Sequence, residues 1–391
     1  MSPDVVYVLP DKFGGVFNFC GNLLAHRGSG GLRHGAVLTR NRWSRDEPAD
    51  EPLAADWQRT IEDELPTENL YGALRRVHRM LVGRGALVAN DWIELATAAA
   101  FPLDRTVFSI VHGDFDYYYD LALRHEPEVD VYIAYTETIY RRLLELMPHR
   151  ADTIVLHRYG VRIAGSRRPV PGPLRLLYVG RVDRHKGMFD LPIIDAHLRE
   201  TDANVTWTVQ GTGPDLDELR AAWPRADVRW TGRQDMAKVL AEYERHDVLV
   251  MPSRNEGLPV ALLEAGAAGV VPVVSDLPSG IPEVVCNGDT GWRVPVGDTR
   301  AFASAILALA REPSHVERMS ANIRAVVARN WDIRGRAAEY AILFERWSEL
   351  KRPRPSGRRV PYGSRLDRRW LPNALVRVIR RRRRRMQVGG H

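Results

Sequence analysis

The sequence predicts an α/β protein built from two successive doubly wound parallel sheets, and three observations carry that prediction. Short apolar runs rich in β-branched residues alternate with helical patterns, the order from which parallel sheets covered by helices are built. The runs are apolar throughout, as strands buried on both faces must be, instead of alternating apolar with polar. The alternation stops once, at a stretch rich in Gly, Pro and Arg, and then restarts, which divides the 391 residues into two sheets.

The first set of strands is expected at VVYVL (5–9), GAVLT (35–39), GALVA (85–89), TVFSIV (106–111), VDVYIAY (129–135) and TIVLH (153–157). Helices are expected between them at Trp92–Ala100 and Thr136–Met147. Residues 42–67, rich in charge and proline, read as an insertion or mobile loop, and VRIAGSRRPVPGP (161–173) as an exposed inter-domain linker. The second set of strands is LRLLYVG (174–180), NVTWTVQG (204–211), DVRWTG (227–232), DVLVMP (247–252), VVPVVSD (270–276) and GWRVPV (291–296). The domains are accordingly 1–165, a linker at 166–173, 174–330, a terminal helix at 331–350 and a tail at 351–391. In the terminal helix Ala337, Tyr340, Ala341, Phe344 and Trp347 recur at helical spacing as a core-facing stripe, which returns the helix toward the N-terminal domain.

Composition, with 45% hydrophobic and 27% charged residues, is that of a soluble, enzyme-sized chain and excludes a fibrous or largely disordered one. The opening MSPDVVYVLPD lacks the basic leader, apolar stretch and small-residue cleavage site of a secretory signal, so a cytoplasmic location is expected. The longest apolar run, AFASAILALA at 301–310, is about half of what a membrane span requires. Cys20 and Cys286 have neither metal-ligand spacing nor the density of a disulfide scaffold and read as reduced thiols.

Ligands of open α/β sheets sit beyond the carboxyl ends of the strands, so the loops there are the candidates for chemistry. GRVDRHKG at 180–187 puts Arg181 and Lys186 on a glycine-bounded turn, two cations suited to a diphosphate. It is not a Walker loop, because no Gly-Lys-Ser/Thr follows at that motif's spacing, and GTGPDL at 211–216 lacks the third glycine of a dinucleotide fingerprint. In SRNEGLPVALLE at 253–264, Glu256 and Glu264 bracket an apolar stretch. Along one helix eight residues amount to about 12 Å of rise and about 80° of rotation, so these carboxylates would touch different parts of a long ligand. A nucleotide sugar, with a hexose at one end and a ribose at the other, fits that separation. A retaining glycosidase pair, roughly 5 Å apart, does not.

Together VGRVDRHKG, MPSRNEGLPVALLEAGAAGVVPVVSDLPSGIPEVV and GDTGWRVPVGD resemble the C-terminal domain of family-4 retaining glycosyltransferases of the GT-B fold, over about 174–330. The resemblance implies two Rossmann-like domains facing an inter-domain cleft, the first on the acceptor side and the second binding the nucleotide sugar. It implies transfer of a sugar from a nucleotide-diphosphate sugar to an acceptor hydroxyl with retention of anomeric configuration. By this resemblance Glu256 contacts the transferred sugar, Gly257, Leu258 and Pro259 begin the helix whose amides face sugar and phosphate, and Glu264 accepts from the ribose hydroxyls. Arg181 and Lys186 are the pair that neutralises the departing diphosphate, a charge that grows in the transition state. Ser253 and Asn255 are secondary candidates.

Over the N-terminal half, Gly14 and Gly15 in DKFGGVFNF resemble the family loop through which backbone approaches the donor phosphate. His112 stands just beyond the strand at 106–111, where the family has a histidine reaching the sugar, and Asp114, Asp116 and Tyr117 beside it are candidates for the acceptor side. With cations in the place a divalent ion would take, neither a metal nor another cofactor is expected. The acceptor is left open between a glycan, a lipid-linked molecule and a small molecule. Two rivals remain: a nucleotide-sugar epimerase of the same architecture, and a non-catalytic protein holding nucleic acid through its tail.

The formal net charge of +7 is unevenly spread. Residues 351–391 hold fifteen Lys and Arg against one acid, Asp367, a net of +14, so the rest of the chain carries −7. RRWLPNALVRVIRRRRRRM at 368–386 joins apolar residues and a tryptophan to an arginine run, which points to an anionic membrane surface. The acidic body offers no second basic face for a nucleic acid to follow.

Overall fold

The computed structural model describes residues 4–388 except 13, 29–30, 45–47, 50, 164, 355–357 and 361, with the side chains of 381 and 383–388 also left aside. Phe13 of the first glycine turn, parts of the 42–67 stretch and Ala164 of the linker therefore lie outside the described residues, as do most side chains of the arginine run. The chain forms two compact units: residues up to Tyr135, Ile139–His157 and from Arg336 onward make unit 1, and Thr136–Thr138 with Arg158–Gly335 make unit 2.

Unit 1 holds β1 (Asp4–Pro10), β2 (Arg33–Asn41), β3 (Trp57–Asp63), β4 (Gly85–Ala89), β5 (Arg105–Val111), β6 (Val131–Ala134) and β7 (Ile154–Leu156). They form one parallel sheet in the order β3-β2-β1-β4-β5-β6-β7. Around it lie α1 (Gly15–Ala25), α2 (Leu70–Met80), α3 (Trp92–Ala100), α4 (Asp116–Arg124) and α5 (Glu137–Leu146). Val5, Val6, Val8, Leu87, Val88 and Phe108 are wholly buried, as the continuous apolar runs require of a sheet covered on both faces.

Within the stretch 42–67, expected as an insertion or mobile loop, Trp57–Asp63 is the edge strand β3, in register with β2. Its sequence, WQRTIED, hides the strand because an edge strand buries little: Ile61 and Asp63 are inward and Arg59, Thr60 and Glu62 exposed.

Unit 2 holds β8 (Leu174–Val179), β9 (Val205–Gln210), β10 (Arg229–Gly232), β11 (Val248–Met251), β12 (Val271–Ser275) and β13 (Trp292–Val294), parallel in the order β10-β9-β8-β11-β12-β13. Its helices are α6 (Asp190–Arg199), α7 (Leu216–Ala222), α8 (Met236–Glu244), α9 (Val260–Ala268), α10 (Thr299–Arg311) and α11 (Pro313–Trp331). The expected linker at 166–173 is exposed along most of its length, with one anchored residue. Arg167 is buried there, its Nη1 at 2.8 Å from Asp247 Oδ1 and its backbone N–H donating to the Ala268 carbonyl at 2.7 Å, which ties this stretch into unit 2.

The expected helix at 331–350 is two, α12 (Ile333–Glu345) and α13 (Trp347–Leu350). Its apolar stripe is used within unit 1. Tyr340 meets Phe19 at 5.6 Å between ring centroids, and Phe344 meets Phe108 at 5.1 Å and Tyr7 at 6.0 Å. The basic tail is not a free appendage over its described residues, and ends in α14 (Asn373–Val388). The Asp367 carboxylate accepts from the Leu70 backbone at 2.7 Å and from Arg380 at 2.6 Å, and the Asn69 backbone donates to Asn373 Oδ1 at 2.8 Å. Among the described residues no helix is long and apolar enough to cross a membrane. Cys20 is buried, Cys286 is exposed, and both are free.

Candidate functional site

In each sheet the strand order reverses once, and at such a switch point the loops diverge to leave a crevice at the carboxyl ends. In unit 2 the switch lies between β8 and β11. The loop after β8 carries Arg181 and a single 3-10 turn, Arg184–Lys186, capped by Asp183 accepting from the His185 backbone at 3.0 Å. Gly187 ends this turn in the left-handed conformation, φ 66°, and a Cβ there would lie 1.8 Å from the Pro252 carbonyl oxygen. Glycine thus lets the loop after β8 lie directly on the loop after β11.

That contact assembles a charged pair. Lys186 Nζ stands 2.7 Å from Glu256 Oε1, and Ser253 Oγ donates to the same oxygen at 2.8 Å. Backbone supports it, the Arg254 N–H donating to the His185 carbonyl at 3.2 Å. The Glu256 side chain keeps 9% exposure and Lys186 36%, so the carboxylate is buried and the ammonium half-exposed. Arg181, 59% exposed, has Asp183 at 3.8 Å.

Two expectations about SRNEGLPVALLE need correction. Helix α9 starts at Val260, with Pro259 as its N-cap, so Glu256 lies in the preceding loop and the one-helix separation from Glu264 does not apply. Gly257, Leu258 and Pro259 likewise precede the helix. Pro259 has no N–H to offer, Leu258 is buried, and the Gly257 carbonyl accepts from the Gly280 backbone at 3.0 Å. Glu264 lies within α9, buried. Tyr243 Oη donates to its Oε2 at 3.2 Å, and burial, only partly opposed by that bond, pushes its carboxyl up to about 7.

In unit 1 the switch lies between β1 and β4. Gly14 caps α1 and Gly15 is its first residue, and a Cβ on either would meet nothing within 4 Å. Beyond β5, His112 is buried, its Nε2 at 2.7 Å from Asn90 Oδ1, and the Tyr135 hydroxyl donates to the His112 carbonyl at 3.0 Å. The Asn90 amide nitrogen donates to the Val8 carbonyl at 2.7 Å, which leaves its oxygen as acceptor and assigns the His112 proton to Nε2. Burial pushes the imidazole down to about 3, so the ring is neutral and Nδ1 carries the lone pair. Asp114 accepts from the Tyr119 hydroxyl, Asp116 opens α4, and the Tyr117 hydroxyl donates to Asp91.

Sequence reasoning passed over several residues of these edges. Asn90 orients His112, and Glu94 accepts from the Asn90 and Asp91 backbone at 2.5 and 2.7 Å. Burial, with the Asp91 charge adding, pushes the Glu94 carboxyl up to about 8. Gln210 ends β9 buried, with neither side-chain polar atom hydrogen-bonded among the described residues. The only signal was position, a polar residue at the carboxyl end of a strand. Among the described residues, no three His, Cys, Asp or Glu side chains gather into a metal-holding cluster.

Comparison with solved structures identifies the architecture. Anabaena HepE, in a complex with UDP and glucose, superposes with a TM-score of 0.71 over 88% of this chain and 100% of its own, at 16% identity. Sucrose-phosphate synthase from Thermosynechococcus elongatus does so with 0.69 over 88% and 99%, at 18% identity. The chain has the GT-B fold. In this GT-B chain residues 165–326, all within unit 2, match the family model described as glycosyl transferases group 1. Glycogen synthase of Mycobacterium tuberculosis is 29% identical over 263 residues, 63% of each chain. The putative colanic acid biosynthesis glycosyltransferase WcaL of Escherichia coli is 34% identical over 182 residues, 43% of this chain and 45% of its own. The GT-B chain thus spans less than two thirds of the length of these curated relatives.

Proposed function

We propose that this chain is a family-4 retaining glycosyltransferase, moving a sugar from a nucleotide-diphosphate sugar to an acceptor hydroxyl. The observation that carries the reading is the 2.7 Å Lys186–Glu256 pair at the switch point of unit 2, in the segment that matches glycosyl transferases group 1. In this reading Lys186 and Arg181 stabilise the diphosphate as its bond to the anomeric carbon breaks. Glu256 accepts from hydroxyls of the transferred sugar, and the Lys186 ammonium lies between that carboxylate and the leaving charge. Glu264 accepts from the ribose hydroxyls. Gly14 and Gly15 leave room for the donor phosphates, and the His112 lone pair accepts from a sugar hydroxyl. Asp114, Asp116 and Tyr117 serve the acceptor.

Retention follows if the acceptor oxygen attacks the face from which the diphosphate departs. The new bond forms from acceptor oxygen to anomeric carbon, the carbon–phosphate oxygen bond breaks, and a diphosphate oxygen takes the acceptor proton. No protein nucleophile is then required. Metal independence belongs to the same reading, because Arg181 and Lys186 supply the cations. A cytoplasmic site of action suits a nucleotide-sugar donor. The HepE complex holds UDP, and the curated relatives are named for polysaccharide synthesis, so a uridine-linked donor and a carbohydrate-bearing acceptor are the first to try.

The test is a panel of nucleotide sugars, scored for binding and for turnover with and without chelator, with the anomeric configuration of the product read by NMR. A retained product formed in chelator is expected. An inverted product ends the retaining assignment, chelator inhibition reversed by a divalent ion ends metal independence, and epimerised donor formed without acceptor identifies the epimerase rival.

A further inference from the structure

The strongest concentration of charge in the chain has no part in the proposed transfer. Helix α14 is held to unit 1 by one face: Val376 is wholly buried, Asn373 Nδ2 and Arg377 Nη2 donate to Glu68 Oε2 at 2.8 and 3.1 Å, and Arg380 is bonded to Asp367. Positions 373, 376, 377 and 380 share one side of a helix. The opposite side presents Leu375, Val378 and Arg382, all exposed, and the turn leading into the helix leaves Trp370 with 78% of its surface in solvent. A helix that already has a docking face has no packing need for a second apolar stripe.

Charge decides what that stripe meets. Six consecutive arginines occupy 380–385, and no acid follows Asp367. Arg75 and Arg369 border a cavity of about 250 Å³ beside Trp370. We infer that the outward face of α14, together with Trp370, lies on an anionic bilayer: Leu375 and Val378 enter the headgroup boundary, Trp370 sits at the interface, and the basic residues meet lipid phosphates. A nucleic acid would reward guanidinium groups all along the outward face, and beside Arg382 that face presents Leu375 and Val378. This inference stands whether or not the transfer reading holds.

Truncating the tail is a poor test, because it would also remove Asp367 and Asn373 from their bonds to Leu70 and Asn69. The full chain is therefore sedimented with phosphatidylcholine vesicles containing about one third phosphatidylglycerol and with pure phosphatidylcholine vesicles. We expect partitioning to the anionic vesicles only, weakened about tenfold by raised salt. The Leu375→Asp, Val378→Asp double variant should lose about tenfold or more while unfolding at the wild-type temperature, because both positions are exposed. Equal partitioning of the double variant, equal partitioning to uncharged vesicles, or tight oligonucleotide binding without vesicle binding would each overturn the inference.

Discussion

At Glu256 a carboxylate oxygen receives donors from Lys186 and Ser253, and an amide in its place keeps an oxygen for both. Glu256→Gln is expected to unfold near the wild-type temperature and to lose transfer by about 100-fold or more, as removal of a transition-state contact does. Wild-type turnover by the variant would take Glu256 out of the chemistry. Glu264 makes a different kind of contact. Its carboxyl, pushed up to about 7 by burial, must shed its proton to accept from two hydroxyls. Donor affinity, measured by calorimetric titration on either side of neutrality, should therefore rise with pH in the wild type and stay flat in Glu264→Gln.

Among the elements, the two glycine turns make opposite predictions. Gly187→Ala puts a Cβ on the Pro252 carbonyl from a left-handed backbone. It should cost at least about 1–2 kcal/mol of stability and, by pushing the Lys186 turn off Glu256, weaken donor binding as well. Gly15→Ala meets no atom within 4 Å and improves a helix position, so thermal unfolding should be unchanged or slightly higher. If donor phosphate approaches that backbone, the same variant raises the donor KM. An unchanged KM there would detach Gly15 from the donor.

Over the whole molecule, buried carboxyls oppose one another in pH. Burial raises Glu264 to about 7 and Glu94 to about 8, from an ordinary value of 4.5. A raised carboxyl pKa means stability present at low pH and lost as pH climbs from the unfolded value through the folded one, of order 3 kcal/mol for Glu264. Glu68 and Asp367, which hold the tail, behave oppositely. Burial pushes both up, but their hydrogen bonds, led by Arg76 for Glu68 and Arg380 for Asp367, outweigh it and leave both lowered. Their contribution is present above the ordinary carboxylate range and lost as pH falls through the lowered values. Unfolding temperature scanned against pH should therefore fall on both sides of a mildly acidic optimum. Glu94→Gln should flatten the alkaline side and Glu68→Gln the acid side, and profiles identical to wild type would remove these groups from the balance.

Much of this was legible in the sequence, because it rests on local rules. Continuous apolar runs such as GALVA and DVLVMP can only be doubly covered parallel strands, and these fix which loops lie at the carboxyl ends. Arg181, Lys186 and Glu256 were found in that way. Tertiary structure alone decided the rest, because each remaining feature depends on a neighbour distant in sequence. The strand β3 exists because β2 offers it an edge, despite its polar sequence. Glu256 lies outside α9, where its distance from Lys186 is set by a glycine meeting the Pro252 carbonyl. His112 is neutral because burial makes it so, and Asn90 fixes its tautomer. The sequence shows the tail as basic and apolar together, and only the structure places Glu68 and Asp367, the acids that neutralise part of it, against its helix.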